Sequence, residues 1–372
     1  MRNLILTILI LSAGIAGLLA QGQAGMLNIY YIDTEGGQST LFVGPSGESL
    51  LVDTGNAGDR DLGRIVDVIK NAGVKQIDHM WTTHYHGDHV GSLLALAKQV
   101  PIMHFYDHGK PNPNDRIVSA AFLTSYEELS QGKRTIVKPG DKVKVTGLDI
   151  TTVAVANQFI RTNLTGGGRA NAACMGVPKK DESTYTDPDN GESAGFVMSY
   201  GRFRTVDLGD LTWNGELDLM CPTNRIGTVD LYLTSHHGLA KSNSPALVHA
   251  LEPRVAVMNN GTRKGGEPDV FKVLHETMGL EDLWQLHWSY NVGLENTPAT
   301  FIANIDENAT VAGILNPPPP AAGAPRGGFG GGGGGNAAHS PAYLIKVSAQ
   351  QDGTFTVTNT RNGFSKTYKP RP

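Results

Sequence analysis

Over its first hundred residues the chain alternates short apolar runs with polar, glycine-marked turns. "MLNIYYID" (26–33), "STLFVGP" (39–45) and "ESLLVDTG" (48–55) are aliphatic and aromatic runs of strand length, punctuated by Gly36, Gly37, Gly44, Gly47 and Gly55. In "DRDLGRIVDVIKNAG" (59–73), Leu62, Ile65, Val66 and Ile69 fall at helical spacing, with Asp59 as a cap and Gly73 as a stop. "IDHMWTTH" (77–84) is one more strand, and "HVGSLLALAKQV" (89–100) returns to helical spacing. This order places residues 84–89 in a loop between a strand end and a helix start, where α/β proteins carry their chemistry.

Further along, "KVKVTGLDITTVAV" (142–155), "AGFVMSYGRFRTVDLGD" (194–210, two strands joined at Tyr200-Gly201), "VDLYLTSHHG" (229–238) and "PRVAVMNNG" (253–261) read as strands. "DVFKVLHETMG" (269–279) reads as a helix. Between them, 165–193 is a polar, glycine-rich loop of a length that usually serves function. "NPPPPAAGAPRGGFGGGGGG" (316–335) is low-complexity and expected to be disordered, while 299–315 and 342–359 on its flanks are strand-like. The expected organisation is one domain over 25–315, a Pro/Gly-rich insertion over 316–340, and C-terminal strands over 341–372 that pack on the same domain.

The opening "MRNLILTILILSAGIAGLLAQGQAG" has one Arg, an apolar run to Ala20, and then small residues. That layout predicts a signal peptide over 1–24 and an exported, periplasmic or secreted, protein. The alternative is an N-terminal anchor, but the run falls just short of a comfortable ~20-residue span. No stable membrane insertion is therefore expected after cleavage. The net charge of -4, with acids and bases interspersed, provides no footprint for duplex DNA. The two cysteines, Cys174 and Cys221, leave a single disulfide and two free thiols both open.

The stretch "HYHGDH" (84–89) holds three of the chain's 12 histidines. His84 and His86, one residue apart at a strand end, are able to face one cation, and Asp88 and His89 address a second across Gly87. Zinc takes imidazole nitrogen and carboxylate oxygen at roughly 2.0–2.2 Å. Two metals ~3.5–4 Å apart clamp the attacking and leaving oxygens of a displacement. Such a pair needs a bridging carboxylate, for which Asp210 in "VDLGDL" is the candidate, and a further histidine, which "LTSHHG" supplies as His236 or His237. Zinc is the expected ion, and manganese also suits such ligands. His79, His104, His108, His249, His275 and His339 read as packed or solvated residues, as do Trp213 and Glu216.

H-x-H-x-D-H after a strand, a later "GD" after a strand and a later "SHHG" resemble the metallo-β-lactamase superfamily. "VDTG" (52–55) resembles its first motif, which implies that Asp53 orients the metal loop. "IDTEGGQSTLFVGPSGESLLVDTG" and "LTSHHGLAKSNSPALV" are most similar to the extracytoplasmic hydrolase domain of the DNA-uptake protein ComEC and its free-standing relatives, over about residues 27–290. The resemblance implies an αββα four-layer sandwich with two metals at one edge between the sheets, here extended by the β-rich C-terminal part. It also implies the ligands His84, His86, Asp88, His89, Asp210 and His236, the first of the pair. Asp88 would orient a metal-bound hydroxide, and His237 would contact substrate or protonate the leaving group. The implied activity is metal-dependent hydrolysis of a small or polymeric phosphodiester. The alternatives are a lactonase or esterase using the same site, and a non-catalytic, metal-stabilised binding module. One departure stands out: "DPDNGESAGF" (187–196) has no histidine where true metallo-β-lactamases carry one, and offers Asp189, Asn190 or Ser193 instead. That argues against a lactam substrate.

Overall fold

A computed structural model describes residues 25–305 and 339–371. The expected signal peptide, the Pro/Gly tract and the proposed strand continuation beyond residue 305 lie outside the described residues. The first part of the chain forms β1 (Leu27–Tyr31), β2 (Thr40–Val43), β3 (Ser49–Val52), α1 (Asp59–Asn71), β4 (Ile77–Trp81), α2 (Gly87–Val90), α3 (Leu93–Leu96), β5 (Ile102–Asp107), α4 (Ala120–Ser130) and β6 (Arg134–Ile136). Then come β7 (Lys142–Val145), β8 (Leu148–Val155), β9 (Gln158–Phe159), β10 (Arg169–Ala170), β11 (Gly195–Tyr200) and β12 (Phe203–Asp207). After these follow α5 (Trp213–Met220), β13 (Thr223–Asn224), β14 (Leu231–Leu233), α6 (Pro245–Leu251), β15 (Val255–Met258), α7 (Pro268–His275), β16 (Asp282–His287) and β17 (Ile302–Asn304). β18 (Ile345–Ala349), β19 (Phe355–Asn359) and β20 (Ser365–Tyr368) complete the described chain.

Two large mixed sheets result. One runs β20-β19-β18-β1-β2-β3-β4-β5-β6, and the other β17-β16-β15-β14-β12-β11-β8-β7, with β9 on β8. β10 and β13 form a separate ribbon. The C-terminal strands extend the first sheet, because β18 pairs antiparallel with β1 and sets Ile29 opposite Val347.

The inner strands are covered on both faces, which is why β1 to β3, β14 and β15 read as continuous apolar runs, whereas β7, β18 and β19 alternate buried and more exposed positions. Leu27, Ile29 and Tyr31 point to the inter-sheet core with Phe196, Met198, Val255 and Val257 of the other sheet. Their neighbours Tyr30 and Ile32 turn outward, into a core shared with α1 (Ile65, Val66, Ile69), α3 and Tyr126 of α4. On the far side, Val197, Ala256 and Met258 pack against α5, α6 and α7 through Leu219, Met220, Leu247, Leu251, Phe271 and Leu274. The order helices, sheet, sheet, helices is the αββα sandwich. Trp81 ties the two sheets together at the end of β4: its ring meets Phe196 edge-on at 4.9 Å and its Nε1 donates to the Ala194 carbonyl at 2.8 Å.

The single helix expected over 89–100 is instead two short ones, separated at Gly91 and Ser92. Gly91 lies so close to the Asn56–Ala57 backbone that a Cβ there would meet the Ala57 nitrogen at 2.2 Å. The helical spacing is preserved on either side, and close packing of two loops breaks the helix between them. No described helix is long and apolar enough to cross a membrane.

Candidate metal centre

The strand β4 delivers Thr82 and Thr83 to the sheet edge, and His86 caps α2 from an extended conformation (φ -70, ψ 150). Within this turn His84 Nε2 and His86 Nδ1 face each other at 3.0 Å. Each ring is held from behind. His86 Nε2 meets Asp115 Oδ2 at 3.0 Å, and His84 Nδ1 lies 3.1 Å from Thr83 Oγ1. Burial, together with the neighbouring His89 and His86, holds His84 well below the usual histidine range, so it presents a lone pair.

Asp53, fully buried and in the left-handed region (φ 58), sits behind the turn. Its Oδ1 accepts the Thr83 amide at 2.9 Å, and its Oδ2 accepts the Thr83 hydroxyl and faces His89 Nδ1, both at 2.7 Å. A carboxylate at Nδ1 puts the proton there and aims Nε2 into the cavity. His89 Nε2 stands 3.3 Å from His237 Nε2 and 3.3 Å from Asp210 Oδ2. Asp88 Oδ2 lies 3.6 Å from His89 Nε2 and 3.3 Å from His237 Nε2. One ligand atom from each of Asp88, His89, Asp210 and His237 falls within 4.8 Å of the others.

Asp210 follows β12 and lies centrally, its Oδ2 3.3 Å from His89 Nε2 and 3.4 Å from the Nε2 atoms of both His236 and His237. The two histidines splay apart because both adopt left-handed backbone (φ 54 and 56). His236 Nδ1 faces Ser242 Oγ at 3.2 Å, and that hydroxyl donates to the Leu211 carbonyl. His236 Nε2 is thereby turned toward Asp210 and the Asn190 amide, 3.5 Å away. Burial pushes His236 down to about 4, so it is neutral at physiological pH. His237, expected beside substrate, lies within the four-atom group that the sequence assigned to His236, and His236 reaches Asp210 from the Asn190 side.

The loop 187–196 divides in function. Ser193 Oγ accepts the Asp210 amide at 3.1 Å and lies 3.5 Å from His84 Nδ1. Asn190 faces His236. Asp189 turns away from the centre, accepting the Tyr85 and Asn112 amides at 2.9 and 2.8 Å and lying beside His108.

The donor set suits divalent metals, and the electrostatics agree. Burial works against the charge on Asp88 and Asp210. It is outweighed by Lys264 and His89 around the first and by His89, His237 and His236 around the second, so both carboxyls stay well below the usual range. Burial lowers His89, but Asp210, Asp88 and Asp53 outweigh it and hold it well above the usual histidine range. Lys264 Nζ pairs directly with Asp88 Oδ2. The pocket thus concentrates cations, and the buried Asp210 Oδ1 has no hydrogen-bond partner among the described residues.

Sequence reasoning missed three supports. Asp115, 29 positions after His86, orients it. Lys264, 176 positions after Asp88, neutralises it. Glu216, read as packing, is a buried acceptor for the Asn243 and Ser244 amides, both at 2.6 Å, at the start of α6. Asn243 in turn donates to the Ser235 carbonyl at 2.9 Å, beside the histidine pair. Cys174 and Cys221 form a disulfide, which settles the open alternative of free thiols.

The fold is a four-layer α/β sandwich with a candidate His/Asp metal centre at the edge between its sheets. The model of the metallo-β-lactamase superfamily matches residues 33–146. A lactamase-like protein of Pestalotiopsis microspora is 32% identical over 65 residues, and the match spans 18% of this chain and 20% of that relative. Among solved structures, the metallo-β-lactamase fold protein YhfI of Bacillus subtilis aligns over 70% of this chain and 96% of its own, at 13% identity and a TM-score of 0.43. A putative metal-dependent hydrolase of Parabacteroides distasonis aligns over 70% and 92%, at 16% identity and a TM-score of 0.38. CmlA, a diiron β-hydroxylase of Streptomyces venezuelae, aligns over 65% and 46%, at 14% identity and a TM-score of 0.38.

Proposed function

We propose that the chain is an exported hydrolase that uses two divalent metals, zinc by preference, to cleave a phosphodiester. The observation that carries this reading is the convergence of Asp88, His89, Asp210 and His237 within 4.8 Å, beside the facing nitrogens of His84 and His86. His84 and His86 would hold one ion, Asp88, His89 and His237 the other, with Asp210 between them and His236 at its flank. When bound, such ions supply Lewis acidity and bring the ionisation of water to near neutral pH.

The protein's own contribution is position and charge. Asp53 fixes the His89 tautomer, Asp115 fixes His86, and Ser193 fixes Asp210. Lys264, about a third exposed at the rim, provides a cation for an anionic substrate group once a metal takes its place on Asp88. The Cys174–Cys221 bond supports export, since disulfides persist in oxidising compartments.

The test is hydrolysis of bis(p-nitrophenyl) phosphate by chelator-stripped protein reloaded with zinc or manganese, with Asp88→Ala as control. Metal-dependent turnover lost in the control supports the reading. Turnover confined to lactones or esters in a parallel panel would replace the substrate class. Full metal content without any turnover would leave a metal-stabilised binding module.

A further inference from the structure

A second cluster of ligand-type side chains lies apart from the loop centre. Asp33 and Glu35 follow β1, His287 ends β16, and His339 precedes β18. One ligand atom from each lies within 4.8 Å of the others. The side chains of Asp33 and His287 are buried, and those of His339 and Glu35 nearly so, at 9% and 13% exposure.

Arg64 sorts the oxygens. Its guanidinium takes Asp33 Oδ2 at 2.9 Å and Glu35 Oε1 at 3.1 Å, and donates to the His339 carbonyl at 2.6 Å. Asp33 Oδ1 turns inward toward His287, while His339 Nδ1 reaches both Glu35 oxygens, Oε1 at 3.1 Å and Oε2 at 3.3 Å. His287 Nε2 stands 2.6 Å from Asp33 Oδ1 and 3.8 Å from Glu35 Oε2, and His339 Nδ1 stands 3.3 Å from Glu35 Oε2. A tetrahedral zinc with bonds of about 2.0–2.1 Å needs ligand atoms about 3.3 Å apart. The observed separations of 2.6, 3.3 and 3.8 Å bracket that value. Two carboxylates against one guanidinium leave a net negative charge when both imidazoles are neutral, which a divalent cation would offset.

We propose that Asp33, Glu35, His287 and His339 form a further zinc-class cation site, structural in role and separate from the loop centre. It ties the segment that enters β18 to the loop between β1 and β2. That loop also forms a wall of the loop centre: the Gln38 amide donates to the Asp88 carbonyl at 3.1 Å, and a Cβ on Gly37 would lie 2.6 Å from the same oxygen. An ion at the new site therefore steadies the backbone next to Asp88 without touching it.

The test is zinc content per chain, measured by mass spectrometry on the full protein after chelation, reloading with zinc alone and desalting. His339→Ala is expected to hold one equivalent less than wild type. Asp210→Ala is expected to lose zinc from the loop centre and keep the equivalent that His339→Ala lacks. Should His339→Ala fail to fold, Glu35→Gln provides the second variant, and it too should lose one equivalent. Unchanged zinc in His339→Ala and Glu35→Gln would overturn the site and leave an ion-pair cluster around Arg64. That result would leave the loop centre untouched, because the loss in Asp210→Ala reports on it independently.

Discussion

Replacing both cysteines, Cys174→Ala/Cys221→Ala, tests how the long segment over the centre is held. The bond closes a loop with a sequence separation of 47. The loop-closure entropy it removes from the unfolded chain amounts to about 4 kcal/mol at 25 °C. In the folded state other contacts keep the segment in place. Asn171 Nδ2 donates to the Met220 and Ala246 carbonyls, Lys180 Nζ lies 3.5 Å above the Trp213 ring, and Lys241 pairs with Asp187 at 2.7 Å. The cost should therefore fall on the unfolded side. Urea unfolding of the double variant is expected to show a free energy lower by about 4 kcal/mol. Reductant should reproduce that loss in the wild type and add nothing in the variant. Zinc affinity should change little, because Ser193 and Ala194 are tied to the centre by hydrogen bonds to Asp210 and Thr83. Unfolding midpoints that coincide for oxidised wild type and double variant would refute the argument. A large fall in zinc affinity would show instead that the bond acts on the native site.

Asp53→Asn removes the carboxylate behind His89, and zinc affinity should fall about 10–100-fold in competition with a chromophoric chelator, as outer-shell substitutions typically do. His237→Ala should cost one zinc equivalent, whereas His236→Ala should cost less; the reverse result would restore the assignment read from the sequence. Because the carboxylates around His89 hold it above its ordinary value in the metal-free state, zinc must displace its proton. Apparent affinity should therefore rise with pH up to that raised value, and titration calorimetry in buffers of different ionisation enthalpy should detect proton release. By the same sign, His89 stabilises metal-free protein at low pH, and that contribution fades as pH rises through its folded-state value. Glu216→Ala leaves two buried amides unsatisfied, for a loss of about 2–5 kcal/mol in urea unfolding, and an unchanged midpoint would contradict its role.

What could be read from the sequence was what is local along the chain. Strands β1 to β4 are short apolar runs buried on both faces, and helix α1 buries the face carrying Ile65, Val66 and Ile69 while Arg60, Asp67 and Lys70 stay exposed, so pattern and structure coincide. The His84–His89 turn is also local, because six consecutive residues carry their chemistry in their spacing. Asp210 and the His236/His237 pair were legible only as candidates. Which imidazole enters the four-atom group depends on left-handed backbone at both positions, and spacing carries no sign of that. Asp115, Lys264, Glu216 and the partners of His339 were illegible for a different reason. Each acts on a residue far away in the chain, and an isolated charged residue ordinarily reads as solvated surface.

Lys264 shows what such a distant residue does for the centre. The centre draws the buried Asp53 and Asp210 and the partly buried Asp88 around His89, and unpaired buried carboxylates are costly. In the metal-free state that charge is met by an imidazolium at His89 and by Lys264 on Asp88. Lys264 comes from the loop after β15, which packs against the loop after β1: a Cβ on Gly36 would lie 3.0 Å from the Gly261 nitrogen and 3.1 Å from Lys264 Cβ. The two sheets thus each provide part of the charge that the other must balance. If the proposed ions bind, they would exchange a proton on His89 and the Lys264 ammonium for divalent charge, so the positive charge that the carboxylates need would change only its carrier.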